Sequence, residues 1–311
     1  MIGIDVGGAN LKIVDDRGVH IHYCPLWEHA PITAQLDQYV SSPDDEAVVV
    51  MSGELADCFS NKMEGISFIV DAVKKAFPHA RFYGTDDQFH TRAVPRLAAA
   101  NWLASAAYLK EEYPYAVLLD IGSTTADIIP LCRFADLKWL TDLKRLQKGY
   151  LVYSGMLRGN IAALLQSVVL DGITTPISSE YFAISADAHL ALGHITPADY
   201  TCDTPDRKEK TPDASLKRLA RVVCADLDEI GKQGALQIAE QFWERQRELI
   251  CGQVRRIAKE CGTGEIIVAG IGAPLFAREL DGTDLNGILG PVAEALPAFA
   301  VREIAKRGGY F

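Results

Sequence analysis

The sequence predicts an α/β protein built from two similar units. Three observations lead to this prediction. Strand-like β-branched segments alternate with helical segments, glycine-rich turns follow several strands, and the pattern restarts near the middle of the chain. The restart is an internal repeat: residues 5–14 (DVGGANLKIV) align without a gap on residues 120–129 (DIGSTTADII). Each copy is an apolar strand ending in aspartate, a small polar turn and a second strand, which predicts two copies of one architecture.

Composition is that of an ordinary globular protein. The chain has 311 residues, of which 49% are hydrophobic and 23% charged, enough for about two domains. A formal net charge of −10 argues against a general nucleic-acid binder and against an anionic-membrane binder. The cysteine number is odd and no CxxC occurs, while apolar runs of about 18 residues and signal-peptide features are missing. We therefore expect a cytoplasmic protein with reduced thiols.

The first half of the chain predicts a three-stranded meander followed by alternating helices and strands. The strands are expected at 1–6, 11–14, 19–23, 46–51 and 81–84, and the helices at 31–40 and 65–77. Residues 95–110 are small and apolar almost all round, with proline near the first turn, so they predict one long buried helix. We expect the first domain to span residues 1–112.

The second half repeats the strand–turn–strand pattern and adds a helical region. Strands are expected at 115–121, 126–132 and 265–269, and amphipathic helices at 214–233 and 235–260, before a last helix at 297–307. Asp226 falls within the first of these helices. We expect a second domain at 113–311 with a helical substrate insert at about 150–260.

Three glycine-rich turns directly follow apolar strands, at residues 5–10, 120–125 and 270–273. A glycine turn lets backbone N–H groups approach a phosphate, and a following helix adds its positive end. The alternative is an ordinary hairpin or strand–helix turn. The candidate phosphate-binding residues are Gly7, Gly8, Asn10, Gly122, Ser123, Thr124, Thr125, Arg158, Gly270 and Gly272, and Lys12 adds a cation to the first turn.

Carboxylates beside these turns are the candidate metal ligands and catalytic groups. Asp5 and Asp120 end strands at a turn and suit Mg²⁺ held through water, with Asp127 as a third ligand. Hydrogen bonding of each aspartate to its own turn is the alternative. Glu54 and Asp187 complete the catalytic candidates, together with Asp5, Asp120 and Lys12. Glu54 also fits a helix N-terminal acid.

Several stretches resemble known families. IGIDVGGANLK and LDIGSTTADIIPL resemble the phosphate loops of the actin, sugar-kinase and Hsp70 superfamily, and IIVAGIGAPLF resembles its adenosine loop. MSGELADCFSNKMEGI, YLVYSGMLRGNI and LGHITPADYTCDTPD resemble a hydantoinase/oxoprolinase-type family associated with tetrahydromethanopterin-linked C1 transfer. The resemblance runs from about residue 2 to residue 273. It implies two ribonuclease-H-like (actin-like ATPase) domains with a central cleft, and a C-terminal helix that packs on the first.

The resemblance also implies an activity. It is a Mg²⁺-dependent transferase that condenses an aminomethyl-furan-methyl diphosphate with the phenol of a tyramine- or tyrosine-glutamate acceptor. Diphosphate is released, and the product belongs to methanofuran-type C1 carrier biosynthesis. The expected partners are these small molecules, without nucleic acid or membrane. The assembly is left open, with a homodimer as one alternative.

Other functions stay open at this point. Ala273 and Pro274 replace the longer glycine run of a kinase adenosine loop, so ATP is the less favoured ligand. The alternatives are an ATP-dependent small-molecule kinase, a hydantoinase-like hydrolase of the same superfamily, and a non-enzymatic nucleotide sensor. The carboxylate that accepts the phenolic proton is also undecided.

Overall fold

The computed structural model describes residues 1–28 and 30–309, which form two compact units. The first unit contains residues 1–118 and 129–148 and the described chain from residue 285 onward. The second contains residues 119–128 and 149–284. Both units are therefore discontinuous in sequence, whereas the sequence predicts one unbroken segment for each domain.

A six-stranded sheet forms the centre of the first unit. Its strands are β1 (Ile2–Val6), β2 (Asn10–Asp15), β3 (Gly18–Tyr23), β4 (Ala47–Met51), β5 (Arg81–Tyr83) and β6 (Phe89–His90). The order is β3-β2-β1-β4-β5-β6. The first three strands pair antiparallel, while β4 pairs parallel with β1 and with β5. Every residue of β4 is buried, as expected for a strand covered on both faces.

Helices cover this sheet. The first unit holds α1 (Ile32–Asp37), α2 (Lys62–Ala76), α3 (Asn101–Leu109), α4 (Phe134–Leu137) and α5 (Asp142–Lys148). The single helix predicted over 95–110 is wrong. A short 3-10 turn at Pro95–Leu97 is separated from α3 by Ala99, whose φ is +46°. The Ala100 N–H donates to the Met51 carbonyl at 3.2 Å, so the break ties this segment to the end of β4.

The second unit repeats the strand order of the first. Its sheet contains β7 (Val117–Ile121), β8 (Ala126–Pro130), β9 (Leu151–Val152), β12 (Ile266–Ala269) and β13 (Thr283–Asp284). The spatial order is β13-β12-β7-β8-β9. Numbered along the chain within this sheet, the strands therefore lie in the order fifth, fourth, first, second and third. The first five strands of the first unit have the same arrangement, so the α/β fold with two related sheets is confirmed.

The remainder of the second unit is a hairpin and a group of helices. The hairpin pairs β10 (Ser167–Leu170) with β11 (Ile173–Pro176), and the helices are α6 (Ser185–Ala191), α7 (Pro212–Arg221), α8 (Leu227–Cys261) and α9 (Ala273–Leu280). The helix predicted over 214–233 is wrong, because α7 ends at Arg221 and α8 begins at Leu227. The predicted break near residue 234 has a counterpart at Gly231, whose φ of +65° interrupts α8. Asp226 caps α8 by accepting hydrogen bonds from the amides of Asp228 and Glu229, so it starts a helix rather than lying inside one.

The C-terminal helices lie in the first unit. They are α10 (Leu285–Leu289) and α11 (Leu296–Gly308). A β-carbon built on Gly3 would lie 2.1 Å from the Ala298 carbonyl oxygen, so only glycine allows α11 to approach β1 this closely. Tyr108 of α3 meets Phe299 edge-on, with ring centroids 5.2 Å apart. In the described ranges, no helix is both long and apolar enough to cross a membrane.

Candidate active site

The first glycine turn joins β1 to β2 in the first unit. Its Gly7 N–H donates to the Asn10 carbonyl at 2.9 Å, which closes the turn. Asp5 and Lys12 are direct cross-strand partners just before and after it. Because opposite residues of an antiparallel pair share one face of the sheet, both side chains lie on the same face.

Asp5 carries an unsatisfied carboxylate. The side chain is 5% exposed, and its Oδ1 has no hydrogen-bond partner among the described residues. Burial raises the pKa of Asp5 to about 6, and the Lys12 charge opposes this shift. Lys12 donates from Nζ to the Glu294 carbonyl at 2.6 Å, which uses one of its three N–H donors. Asp5 Oδ1 and two N–H donors of Lys12 are therefore available to bind a ligand.

The end of β4 lies against this turn. The amides of Ser52 and Gly53 donate to the Val6 carbonyl at 3.0 and 3.1 Å. A β-carbon on Gly53 would lie 2.8 Å from the carbonyl oxygen of Gly7, so the close approach requires glycine. The next residue is Glu54, which the fold therefore holds next to the first turn.

Glu54 is a second buried carboxylate in this unit. It is 2% exposed, its Oε1 is 3.9 Å from the Lys62 Nζ, and its Oε2 has no partner among the described residues. Burial raises the pKa of Glu54, opposed by its own backbone N–H, the Lys62 charge and the Ala99 N–H. The helix break therefore lies close enough to lower the pKa of this carboxylate, an effect that the composition of 95–110 does not reveal.

The second unit repeats the turn. Asp120 occupies the fourth position of β7, as Asp5 does in β1. The Gly122 N–H donates to the Thr125 carbonyl at 3.0 Å, the counterpart of the Gly7–Asn10 bond. The repeat in the sequence is therefore also a repeat in geometry.

A segment that we name the strap, residues 154–158, packs on this second turn. The Met156 N–H donates to the Gly122 carbonyl at 3.0 Å. The Leu157 and Arg158 amides both donate to the Ser123 carbonyl, at 2.9 and 3.0 Å. The strap thereby occupies the carbonyl side of the turn.

The strap determines where the turn amides point. In a trans peptide the C=O and the following N–H point in opposite directions, and no cis peptide occurs in the described chain. Because the Gly122 and Ser123 carbonyls face the strap, the N–H groups of Ser123 and Thr124 point away from it. Adjacent amides directed the same way are an arrangement in which backbone N–H groups can bind an anion.

The third glycine-rich turn joins this site. Gly270 has a φ of +88°, and a β-carbon on it would lie 2.5 Å from the Ile121 carbonyl oxygen and 2.8 Å from Asp120 Oδ1. The Gly272 N–H donates to the same Ile121 carbonyl at 3.2 Å, and α9 begins at the next residue. The structure therefore brings Asp120, residues 122–125 and residues 270–272 together in one unit.

The other predicted residues are distributed more widely. Asp127 lies on β8 as the register partner of Leu151, and it is partly exposed. Arg158 belongs to the strap. In the described ranges, no three His, Cys, Asp or Glu side chains are grouped to hold a metal ion.

Asp187 is a correction to the predicted catalytic set. It is fully buried, and its carboxylate accepts hydrogen bonds from the Ile184 amide, Tyr200 Oη, Ser215 Oγ and Arg218 Nε, at 3.0, 3.1, 2.9 and 2.7 Å. These donors belong to α6, α7 and the chain around them. Asp187 therefore ties these elements together and presents no oxygen to a substrate.

The strap and its supports are what sequence reasoning missed. Gly155 was the available signal, because a β-carbon there would lie 2.6 Å from the backbone of Ser123 and Thr124. Behind the strap, Gln246 of α8 bonds Ser154 and Gly155. A glutamine inside an amphipathic helix carries no local signal for such a contact.

Comparison with known proteins identifies similar chains. Residues 45–302 match the hydantoinase/oxoprolinase family profile. A Methanocaldococcus jannaschii protein named (4-{4-[2-(gamma-L-glutamylamino)ethyl]phenoxymethyl}furan-2-yl)methanamine synthase is 35% identical over 322 residues, covering 99% of this chain and 98% of the relative. A Methanococcus vannielii protein of the same name is 38% identical over 164 residues, covering 53% of this chain and 74% of the relative.

Solved structures show more distant likenesses. Nucleotide-free acetone carboxylase has a TM-score of 0.49 at 11% identity, covering 96% of this chain and 69% of that one. A ROK family glucokinase from Streptomyces griseus, in complex with glucose and AMPPNP, has a TM-score of 0.42 at 14% identity, covering 96% and 97%. Neither likeness bears on the activity of this chain.

Proposed function

Because the chain belongs to the hydantoinase/oxoprolinase family, and is similar over nearly its full length to the M. jannaschii synthase, we propose that it forms the aryl ether that the name of that synthase gives as its product. An aminomethyl-furan-methyl diphosphate is condensed with the phenol of a γ-glutamyl-tyramine-type acceptor, and diphosphate leaves. The full-length similarity to the M. jannaschii synthase is the observation that carries this proposal. The anion site of the second unit supports the diphosphate part of it.

The reaction is an alkyl transfer. The bond between the furan-methyl carbon and the diphosphate oxygen breaks, and both electrons stay on that oxygen. The phenol oxygen forms the new bond to the same carbon, and its proton passes to a carboxylate. The furan ring stabilises positive charge on the carbon, so the enzyme must stabilise the leaving group and position the phenol.

We propose that the departing diphosphate binds the turn at 122–125. The Ser123 and Thr124 amides point away from the strap, and the adjacent hydroxyls add further donors. Gly270 and Gly272 allow the third turn to pack directly on Ile121, next to the turn at 122–125. Donors fixed in this way need no reorganisation as charge develops.

Mg²⁺ is the metal ion that we propose for this step, with Asp5 of the first unit, or Asp120 and Asp127 of the second, as its candidate ligands. The unpartnered, buried Oδ1 of Asp5 fits a hard cation or its bound water. One or two carboxylates suffice, because Mg²⁺ in proteins keeps several waters and takes phosphate oxygens from the substrate. When bound, the ion neutralises charge on the leaving diphosphate.

Glu54 is the carboxylate that we propose as the proton acceptor. Its buried Oε2 has no partner among the described residues, and burial raises its pKa, so it is a stronger base than an exposed glutamate. Lys12 is proposed to contribute positive charge through the N–H donors that Glu294 does not occupy.

The experiment is ³¹P NMR of the protein with Mg²⁺ in two samples. One contains ATP alone, and the other contains the furan-methyl diphosphate with a γ-glutamyl-tyramine acceptor. Free diphosphate in the second sample only, with the ether identified by mass spectrometry, is the expected result. ADP or free phosphate in the ATP sample, without ether in the other, would instead identify an ATP-dependent kinase or hydrolase.

A further inference from the structure

A buried hydrogen-bond chain in the second unit ends on the strap. The Nδ1 atoms of His194 and His189 are 3.1 Å apart, and His189 Nε2 is 2.8 Å from Gln246 Oε1. Gln246 Nε2 is 2.9 Å from both Ser154 Oγ and the Gly155 carbonyl oxygen. His189 and Gln246 are fully buried, so the contacts of Gln246 are shielded from water, while His194 is partly exposed.

The Gly155 carbonyl determines where the protons lie in this hydrogen-bond chain. The Gly155 carbonyl only accepts, so the amide nitrogen of Gln246 must face it and the amide oxygen must face His189. His189 therefore carries its proton on Nε2, and its Nδ1 accepts from His194. Burial lowers the pKa of His189 to about 3, which keeps the ring neutral and this arrangement fixed.

Gln246 contacts the strap at Ser154 and Gly155, where the strap packs directly on the turn at 122–125. A β-carbon on Gly155 would lie 2.6 Å from the backbone of Thr124, so strap and turn are in direct backbone contact. The next three strap amides hold the Gly122 and Ser123 carbonyls. A displaced strap would therefore rotate these carbonyls, and with them the amides that face the anion.

We propose that Gln246, oriented by His189, is a positioning residue that fixes the anion-binding turn at 122–125. It touches neither substrate nor metal and acts through Ser154 and Gly155. The inference rests on the proposed function in one respect, that the turn binds the diphosphate group. It adds that diphosphate affinity depends on a glutamine of α8 behind the strap.

The test compares three variants with the wild type. Gln246→Leu removes the amide at similar volume, and Gln246→Glu keeps the shape but removes the amide donor. Gln241→Leu is the matched control. Gln241 lies on the same helix and also bonds backbone, its amide meeting the Val169 N–H and carbonyl at 2.7 and 3.0 Å in the β10 strand.

Calorimetric titration with inorganic diphosphate and Mg²⁺ is the first readout, with thermal unfolding measured in parallel. We expect Gln246→Leu to bind diphosphate at least about tenfold more weakly, and Gln241→Leu to stay within about twofold of the wild type. In turnover, Gln246→Leu is expected to raise KM for the diphosphate substrate more than it lowers kcat. Amide exchange at residues 122–125 and 154–158 is expected to quicken in the same variant.

The pH response of Gln246→Glu is a second readout. It tests whether Gln246 positions the turn even if Gln246→Leu does not fold. An ionised glutamate would set an oxygen against the Gly155 carbonyl, whereas the protonated acid restores one donor. The diphosphate affinity of this variant, relative to the wild type, is expected to recover between pH 8 and pH 6. A ratio that does not change with pH contradicts the proposal.

The outcomes separate this inference from the proposed function. If both leucine variants lose affinity equally, or neither does, positioning by Gln246 is overturned, whether or not the wild type forms the ether. If Gln246→Leu alone loses affinity while the wild type forms no ether, positioning is supported and the proposed function is rejected. A wild type that binds no diphosphate and forms no ether overturns both.

Discussion

Gly270 lies against Asp120, and a β-carbon built on the glycine would come within 2.8 Å of the aspartate Oδ1. The glycine also has a φ of +88°, in a region that side chains strongly disfavour. Two predicted site segments, far apart in sequence, thus meet at a point that admits only glycine. The loop after β12 and the carboxylate near the end of β7 therefore lie in contact.

Gly270→Ala tests this meeting point. We expect the variant to lose about 2 kcal/mol or more of unfolding free energy, because it combines positive-φ strain with a collision against Asp120 and Ile121. Diphosphate binding should weaken as well. Denaturant unfolding and calorimetry are the measurements. Gly264→Ala, where a β-carbon meets nothing within 4 Å, is the control and should remain near wild type.

Glu54→Gln tests the proposed base. The amide preserves the shape but cannot accept the phenolic proton, so we expect kcat to fall by about a hundredfold or more. Stability should hold or rise, because burial already disfavours the charged carboxylate. The control is Glu64→Gln: this residue only caps the Ser60 amide at the start of α2, so kcat should be unaffected. A Glu54→Gln enzyme of undiminished kcat would exclude Glu54 as the base.

Asp5→Asn tests the proposed metal ligand. Burial raises the Asp5 pKa from 3.8 to about 6, so the ionised carboxylate costs roughly 3 kcal/mol of unfolding free energy at pH 7 without metal. The metal-free variant should therefore unfold at a higher temperature than the wild type. It should also need at least about tenfold more Mg²⁺ for half-maximal turnover. Unchanged magnesium dependence would remove Asp5 from the ligand set.

His189 predicts a loss of stability in acid. Its pKa is lowered from 6.5 to about 3, so above pH 6.5 neither the folded nor the unfolded state is protonated there. As pH falls from 6.5 towards 3, His189 becomes protonated in the unfolded state but stays neutral in the folded state. The wild type should lose about 2 kcal/mol between pH 7 and pH 5 through this group. His189→Leu, compared by urea unfolding at both pH values, should lack this part of the slope.

The turns and the longer strands of both sheets could be predicted because the repeat is visible in the sequence, whereas the two-residue strands β6, β9 and β13 were missed. Residues 5–14 and 120–129 align without a gap, and both turns close through the same backbone bond. The equivalence extends further in the structure. Gly53 and Gly272 each follow the fourth strand of their sheet, and their N–H groups donate to the carbonyl of the residue after the aspartate, Val6 or Ile121. Gly53 lies two residues after its strand and Gly272 three, so the gap-free repeat does not extend to these glycines.

The rest depends on contacts between distant segments. Asp187 has the polarity of a catalytic residue, and only the fold reveals that Arg218 and three other donors saturate it. Ala99 breaks a segment of high helix propensity, and the next amide, that of Ala100, donates to the Met51 carbonyl of β4. Tertiary hydrogen bonds override local preference in both cases.

The most direct measurement of the central claim is an oxygen-label experiment. The acceptor is prepared with ¹⁸O in the phenol and incubated with the furan-methyl diphosphate, Mg²⁺ and the protein. Attack of the phenol on the furan-methyl carbon retains all of the label in the ether and leaves the released diphosphate unlabelled. An ¹⁸O-labelled aryl phosphate, or no ether at all under these conditions, would contradict alkyl transfer by this protein.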